Sequence, residues 1–99
     1  DAALELDKIV VILNKYPNMR IELRSHTDAR GNDNFNLKLS DDRANSAALY
    51  IIGKGIDSKR IVAKGYGEKE LINKCKNGVK CEEKEHEENR RTEFKILSL

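Results

Sequence analysis

At 99 residues, 38% hydrophobic and 36% charged, the chain is long enough to bury one core and too short for a second. Its 19 basic and 17 acidic residues leave a formal charge of +2, too slight an excess to make nucleic acid the expected partner, and aromatic residues are only 5%. The longest apolar run, Ile9 to Leu13, is far too short to cross a bilayer, and no charged-then-apolar leader precedes the first helical pattern, so no targeting segment is read.

The first element predicted is a helix over residues 2–15. Leu6, Ile9, Val10 and Leu13 fall at i, i+3, i+4 and i+7, a single apolar stripe, and Pro17 closes the helix. From Met19 the period changes to two, with Met19, Ile21 and Leu23 on one face and Arg20, Glu22 and Arg24 on the other, which predicts a strand over 19–25 with one buried face. A polar stretch from His26 then leads to Ser40, the expected N-cap of a second helix, with Asp41 and Asp42 favoured at the positive end of its dipole. Ala44, Ala47, Ala48, Ile51 and Ile52 form a stripe of mostly small residues that would let this helix lie close on a sheet. Gly53 or Gly55 can take the left-handed conformation that ends it.

A second strand is expected over 60–66, a polar loop over 68–78, a short charged helix over 82–89 and a last strand in which Thr92, Phe94 and Ile96 alternate with Arg91, Glu93 and Lys95. No internal repeat or low-complexity segment interrupts this order. Helix, strand, helix, strand and strand in succession fit an α/β (α+β) two-layer sandwich, a small mixed sheet with helices on one face. Cys75 and Cys81 fall in or beside the polar loop; if paired, they place the chain in an oxidising compartment such as the periplasm.

The stretch from His26 to Arg43 joins a strand end to a helix start, where ligand-binding groups commonly gather. Asp28 can pair with an ammonium, and the guanidinium fork of Arg43 can grip a carboxylate. Together they suit a ligand that carries both charges, of which an amino acid end is the simplest. Either residue alone has a plainer reading: Asp28 can cap its own turn, and Arg43 can pair with a surface carboxylate. The order in which these residues stand is more telling than any one of them. His-Thr-Asp at 26–28, Gly31, Asn-x-x-Leu-Ser-x-x-Arg-Ala at 36–44, Gly-Ile at 55–56, Arg60, Gly65 to Gly67 and Asn-Arg-Arg-Thr-Glu at 89–93 follow one another along nearly the whole chain.

This ordered set resembles the OmpA-like peptidoglycan-binding domain of outer membrane protein A, peptidoglycan-associated lipoproteins and flagellar motor stators. The resemblance implies one domain over 1–99, lacking the strand that usually precedes the family's first helix. It implies non-covalent binding of the peptidoglycan stem through meso-diaminopimelate, with Asp28 on the ammonium, Arg43 on the carboxylate, and Thr27, Asn36 and Leu39 shaping the pocket. One of Arg90 and Arg91 should face that pocket, since period two puts them on opposite faces, and Arg91 is favoured; the other is expected to pair with the neighbouring glutamates. The implied setting is the periplasmic face of the outer membrane in a Gram-negative bacterium, in a membrane-attached parent protein, with a homodimer possible. Ser25 departs from the Gly that many members carry before the His-Thr-Asp triplet.

Other classes of function fit less well. A protein interaction or dimerisation module on the same fold is the alternative. No nucleophile is spaced against His26, so catalysis is not expected and His26 reads as a structural bridge from loop to sheet. Zinc at Cys75, Cys81 and His86 would need a fourth ligand and tighter cysteine spacing, so a Cys75–Cys81 disulfide is expected instead, with no metal and no cofactor.

Overall fold

The computed structural model describes residues 2–30, 32–68, 75 and 80–99, so the expected loop over 68–78 lies mostly outside the described residues. Helix α1 runs Ala2–Lys15, strand β1 Arg20–His26, helix α2 Asp33–Gly53, strand β2 Ile61–Gly67, helix α3 Glu83–Asn89 and strand β3 Arg91–Ser98, with a single 3₁₀ turn at Ser58–Arg60 ahead of β2. The expected two-layer α/β architecture with a small mixed sheet is the one observed.

β1 is the centre of the sheet, in the order β2-β1-β3. It pairs in parallel with β2, Leu23 facing Ala63, and antiparallel with β3, Leu23 facing Phe94. A parallel neighbour needs a long crossover, and α2 supplies it. On the helix-facing side Met19, Ile21 and Leu23 are buried among Ile9 and Leu13 of α1 and Ala47, Ala48 and Ile51 of α2, with Ile56 closing one side. Leu6, Val10, Ile61, Ala63 and Phe94 pack around this core. The alternation read from the sequence separates core from surface on β1 and the first half of β2; on β3 Phe94 packs on the core, while Thr92 and Ile96, expected on the same face, are exposed.

The carbonyl end of α1 is held from across the chain. Arg60 donates to the Leu13, Tyr16 and Met19 carbonyl oxygens at 2.8, 2.8 and 2.9 Å. A guanidinium there satisfies carbonyls that the helix and its turn leave open, and its charge suits the negative helix end. Gly55, with φ +102°, takes the left-handed role at the end of α2.

α2 differs from expectation at its start. It begins at Asp33, with the Asn32 side chain accepting from the Asn34 and Phe35 amides, so Asn32 and not Ser40 is the N-cap. Ser40 is fully buried inside the helix. Its hydroxyl donates to the Leu37 carbonyl and accepts from the Gly67 amide at 2.9 Å, while Asp41 accepts from the Gly65 amide at 2.7 Å. These bonds need the helix to sit very close on β2. A Cβ on Gly65 would overlap the Ser40 hydroxyl and the Asp41 amide, which is why the strand carries glycine there.

Candidate functional site

At the carboxyl end of β1 the buried residues stop being apolar. Ser25, His26, Thr27 and Asp28 follow Leu23 and are all buried. Burial of so many polar groups is tolerated where each finds partners. The Ser25 hydroxyl meets that of Thr92 at 2.9 Å, the Thr27 amide donates to the Gly67 carbonyl, and the His26 ring stacks on Tyr66 with its Nε2 2.9 Å from Glu93 Oε1. His26 thus ties β1 to its two neighbouring strands.

Asp28 opens the loop that follows. Its Oδ1 accepts from the Arg30 amide at 2.9 Å, and its Oδ2 accepts from two guanidiniums, Arg30 at 2.9 Å and Arg90 at 2.7 Å. Both guanidiniums also reach Glu83 of α3, Arg30 at 2.7 and 3.3 Å and Arg90 at 2.8 Å. Two acids and two bases thereby close a ring that ties loop, helix and strand start together. Burial works to raise the pKa of Asp28, but the side-chain bonds from Arg30 and Arg90 and the Arg30 amide outweigh it and hold the carboxyl at about 2. The same bonds raise the pKa of both arginines and lower that of Glu83.

Beside this ring lies a cleft of about 680 Å³, lined by α1, α2 and the β1 and β3 ends that face them. Leu6, Ile9 and Ala47 give it an apolar floor; Arg43, Arg90, Arg91, Asp42 and Glu5 stand around it. Arg91 is held by Glu93 at 3.3 Å and by the Asn89 carbonyl. Arg43 is exposed and makes no hydrogen bond or ion pair with any described residue, which leaves its guanidinium available to an anion.

The expected site residues therefore fall into two groups. Arg43, Arg90 and Arg91 line the cleft. Thr27, Asp28, Asn36 and Leu39 do not, and Arg90 both lines the cleft and bonds Asp28. Asn36 acts on the loop, donating its side-chain amide to the Arg30 carbonyl at 2.9 Å and the Asp28 carbonyl at 3.4 Å. Leu39 is half-buried on α2. The expectation that only one of Arg90 and Arg91 could face the site is corrected: both do. Arg90 is the C-cap of α3 and not a strand residue, so period-two alternation does not govern it. Arg30 was not singled out, because no periodicity or motif links it to Glu83, 53 residues away, whereas the Arg90–Glu83 bond is the pairing with neighbouring glutamates expected for one of the two arginines.

Cys75 and Cys81 form the expected disulfide, with Cys75 fully buried, and the bond lies directly before the Glu82 cap of α3. Among the described residues no helix is long and apolar enough to cross a membrane.

Three helices and a three-stranded mixed sheet define an α/β fold, and sequence comparison gives it a family. Residues 1–85 match the model of the OmpA family, to which the chain belongs. It is 33% identical over 82 residues to outer membrane protein P5 of Haemophilus influenzae, covering 83% of this chain and 22% of that protein. It is 32% identical over 81 residues to the peptidoglycan-associated lipoprotein of Rhizobium meliloti, covering 82% of this chain and 46% of that one. The chain thus spans less than half the length of these curated relatives. The crystal structure of the peptidoglycan-associated lipoprotein from Burkholderia pseudomallei shares the fold, with TM-score 0.82 at 21% identity over 95% of this chain and 75% of that one.

Proposed function

We propose that this domain binds the peptide stem of peptidoglycan without covalent bonds, at meso-diaminopimelate, and so anchors a parent protein of the outer membrane to the cell wall from the periplasmic side. Membership of the OmpA family and the likeness to a peptidoglycan-associated lipoprotein support that reading. The observation that carries it is the pairing of opposites: a guanidinium without a protein partner among the described residues, Arg43, on a cleft whose far wall leads through Arg90 to the ionised carboxylate of Asp28. Diaminopimelate offers the matching carboxylate and ammonium on one carbon. Thr27, Asn36 and Leu39 act on the shape of the loop and helix around that pair, and Arg90 and Arg91 add positive charge for the stem's carboxylates. No bond is made or broken in such a role.

Calorimetric titration with a diaminopimelate stem peptide, against the same peptide carrying lysine, tests the proposal. Wild type should prefer the diaminopimelate peptide, and Asp28→Ala or Arg43→Ala should each weaken it by roughly 2 to 5 kcal/mol, as for one side of a charge pair. A folded wild type that ignores both peptides but self-associates in sedimentation would replace this reading with an interaction module.

A further inference from the structure

The carboxylate assigned to the ligand ammonium already has two cations on it. We infer that Arg30 and Glu83 form a charge gate over Asp28: the incoming ammonium takes the place of the Arg30 guanidinium on Asp28 Oδ2, and Glu83 keeps hold of the guanidinium that gives way. The inference rests on the proposed recognition of an ammonium by Asp28.

The geometry selects Arg30 over Arg90 as the group that moves. Arg30 has the longer bond to Oδ2, 2.9 against 2.7 Å, and its side chain is 49% exposed against 28%. Of its three side-chain bonds two already go to Glu83, so release from Asp28 costs it one bond and leaves no charge unpaired. Arg90 would give up one of two and is fixed at the end of α3. The loop itself does not depend on the Arg30 guanidinium. It is held by the Arg30 amide on Asp28 Oδ1 and by the Asn36 amide on the Arg30 carbonyl, both of which survive when the side chain swings away.

Two residues outside the expected site thus set its affinity, with opposite signs. Arg30 competes with the ligand, so Arg30→Ala should bind an amine-bearing stem peptide about three- to tenfold more tightly, the range expected for removing one half-exposed competitor. Glu83 gives the displaced guanidinium somewhere to go, so Glu83→Gln should bind the same peptide several-fold more weakly. A merely structural role predicts weaker binding for both variants. The control probe is a stem peptide with 2-aminopimelate in place of diaminopimelate, which keeps both carboxylates and lacks the distal amine. The gain in Arg30→Ala should be confined to the amine-bearing peptide.

The experiment is calorimetric titration of wild type, Arg30→Ala and Glu83→Gln with both peptides, after circular dichroism has established equal folding; Arg30→Gln serves if the alanine variant is less stable. Tighter amine-dependent binding by Arg30→Ala with weaker binding by Glu83→Gln upholds the gate. An Arg30 variant that binds no more tightly than wild type, or gains equally with both peptides, overturns it while leaving the site reading intact. A wild type that does not distinguish the two peptides overturns the ammonium reading and the gate with it.

Discussion

The two ends of the segment from Met19 to Asp28, which contains β1, bury their inward side chains by different means. Met19, Ile21 and Leu23 are covered by Ile9, Leu13, Ala48 and Ile51, and no charged group enters that core. From Ser25 through Asp28 the buried groups are polar: the Ser25 hydroxyl meets that of Thr92, and Asp28 is held by two guanidiniums. Apolar burial involves no titrating group, so its contribution does not change with pH. Burial of Asp28 stabilises only while the carboxyl is ionised and its partners are in place, which makes that end of the sheet the responsive one.

The largest expected effect breaks the apolar half. Leu23→Ala removes a fully buried side chain from the centre of the core and should cost about 2 to 5 kcal/mol in denaturant unfolding, with a cost that stays level across pH. Next is Arg60→Ala, which strips three carbonyls of a charged donor and should cost about 2 kcal/mol, again without a pH dependence of its own.

Asp28→Asn sharpens the contrast from the other half. Because the folded-state pKa lies near 2 against an ordinary 3.8, the unfolded chain takes up the proton first as acid is added. The stabilisation is therefore complete above about pH 4 and lost as pH falls through 2. The substitution should cost on the order of 1 to 2 kcal/mol at neutral pH and almost nothing at pH 2, read from urea midpoints. Smallest is Lys8→Ala, which removes an exposed pair with Glu5 at 3.3 Å and should shift stability by less than about 0.5 kcal/mol, disappearing in high salt. An Asp28→Asn cost that did not fall with pH would erase the distinction between the two halves.

How legible each half was in the sequence follows the same division. The apolar stripe gave α1 its bounds to the residue, and alternation placed the three strands within about one position, because burial of apolar groups leaves a periodic trace. The start of α2 left no such trace. Its first turns invert the usual pattern, with Phe35 exposed and Asn36 buried, and its opening Asn, Asp and Asn are residues that also favour turns. Asn32 ahead of Asp33 was the capping signal available there. Asp28 and Arg43 were reachable through an ordered motif and through charge logic. The ring formed with Arg30, Glu83 and Arg90 was not, since its members meet only once the loop, α3 and the start of β3 are folded together.

The close seat of α2 on β2 has a mechanical consequence for the proposed anchoring role. Arg43 follows within three residues of Ser40 and Asp41, which are bonded to the Gly67 and Gly65 amides of the parallel strand, and it stands beside Ala44, which is fully buried. Tension applied to a ligand at that guanidinium would enter the sheet through less than one turn of helix. Little backbone between grip and frame is left to stretch, so a load would pass directly into the sheet.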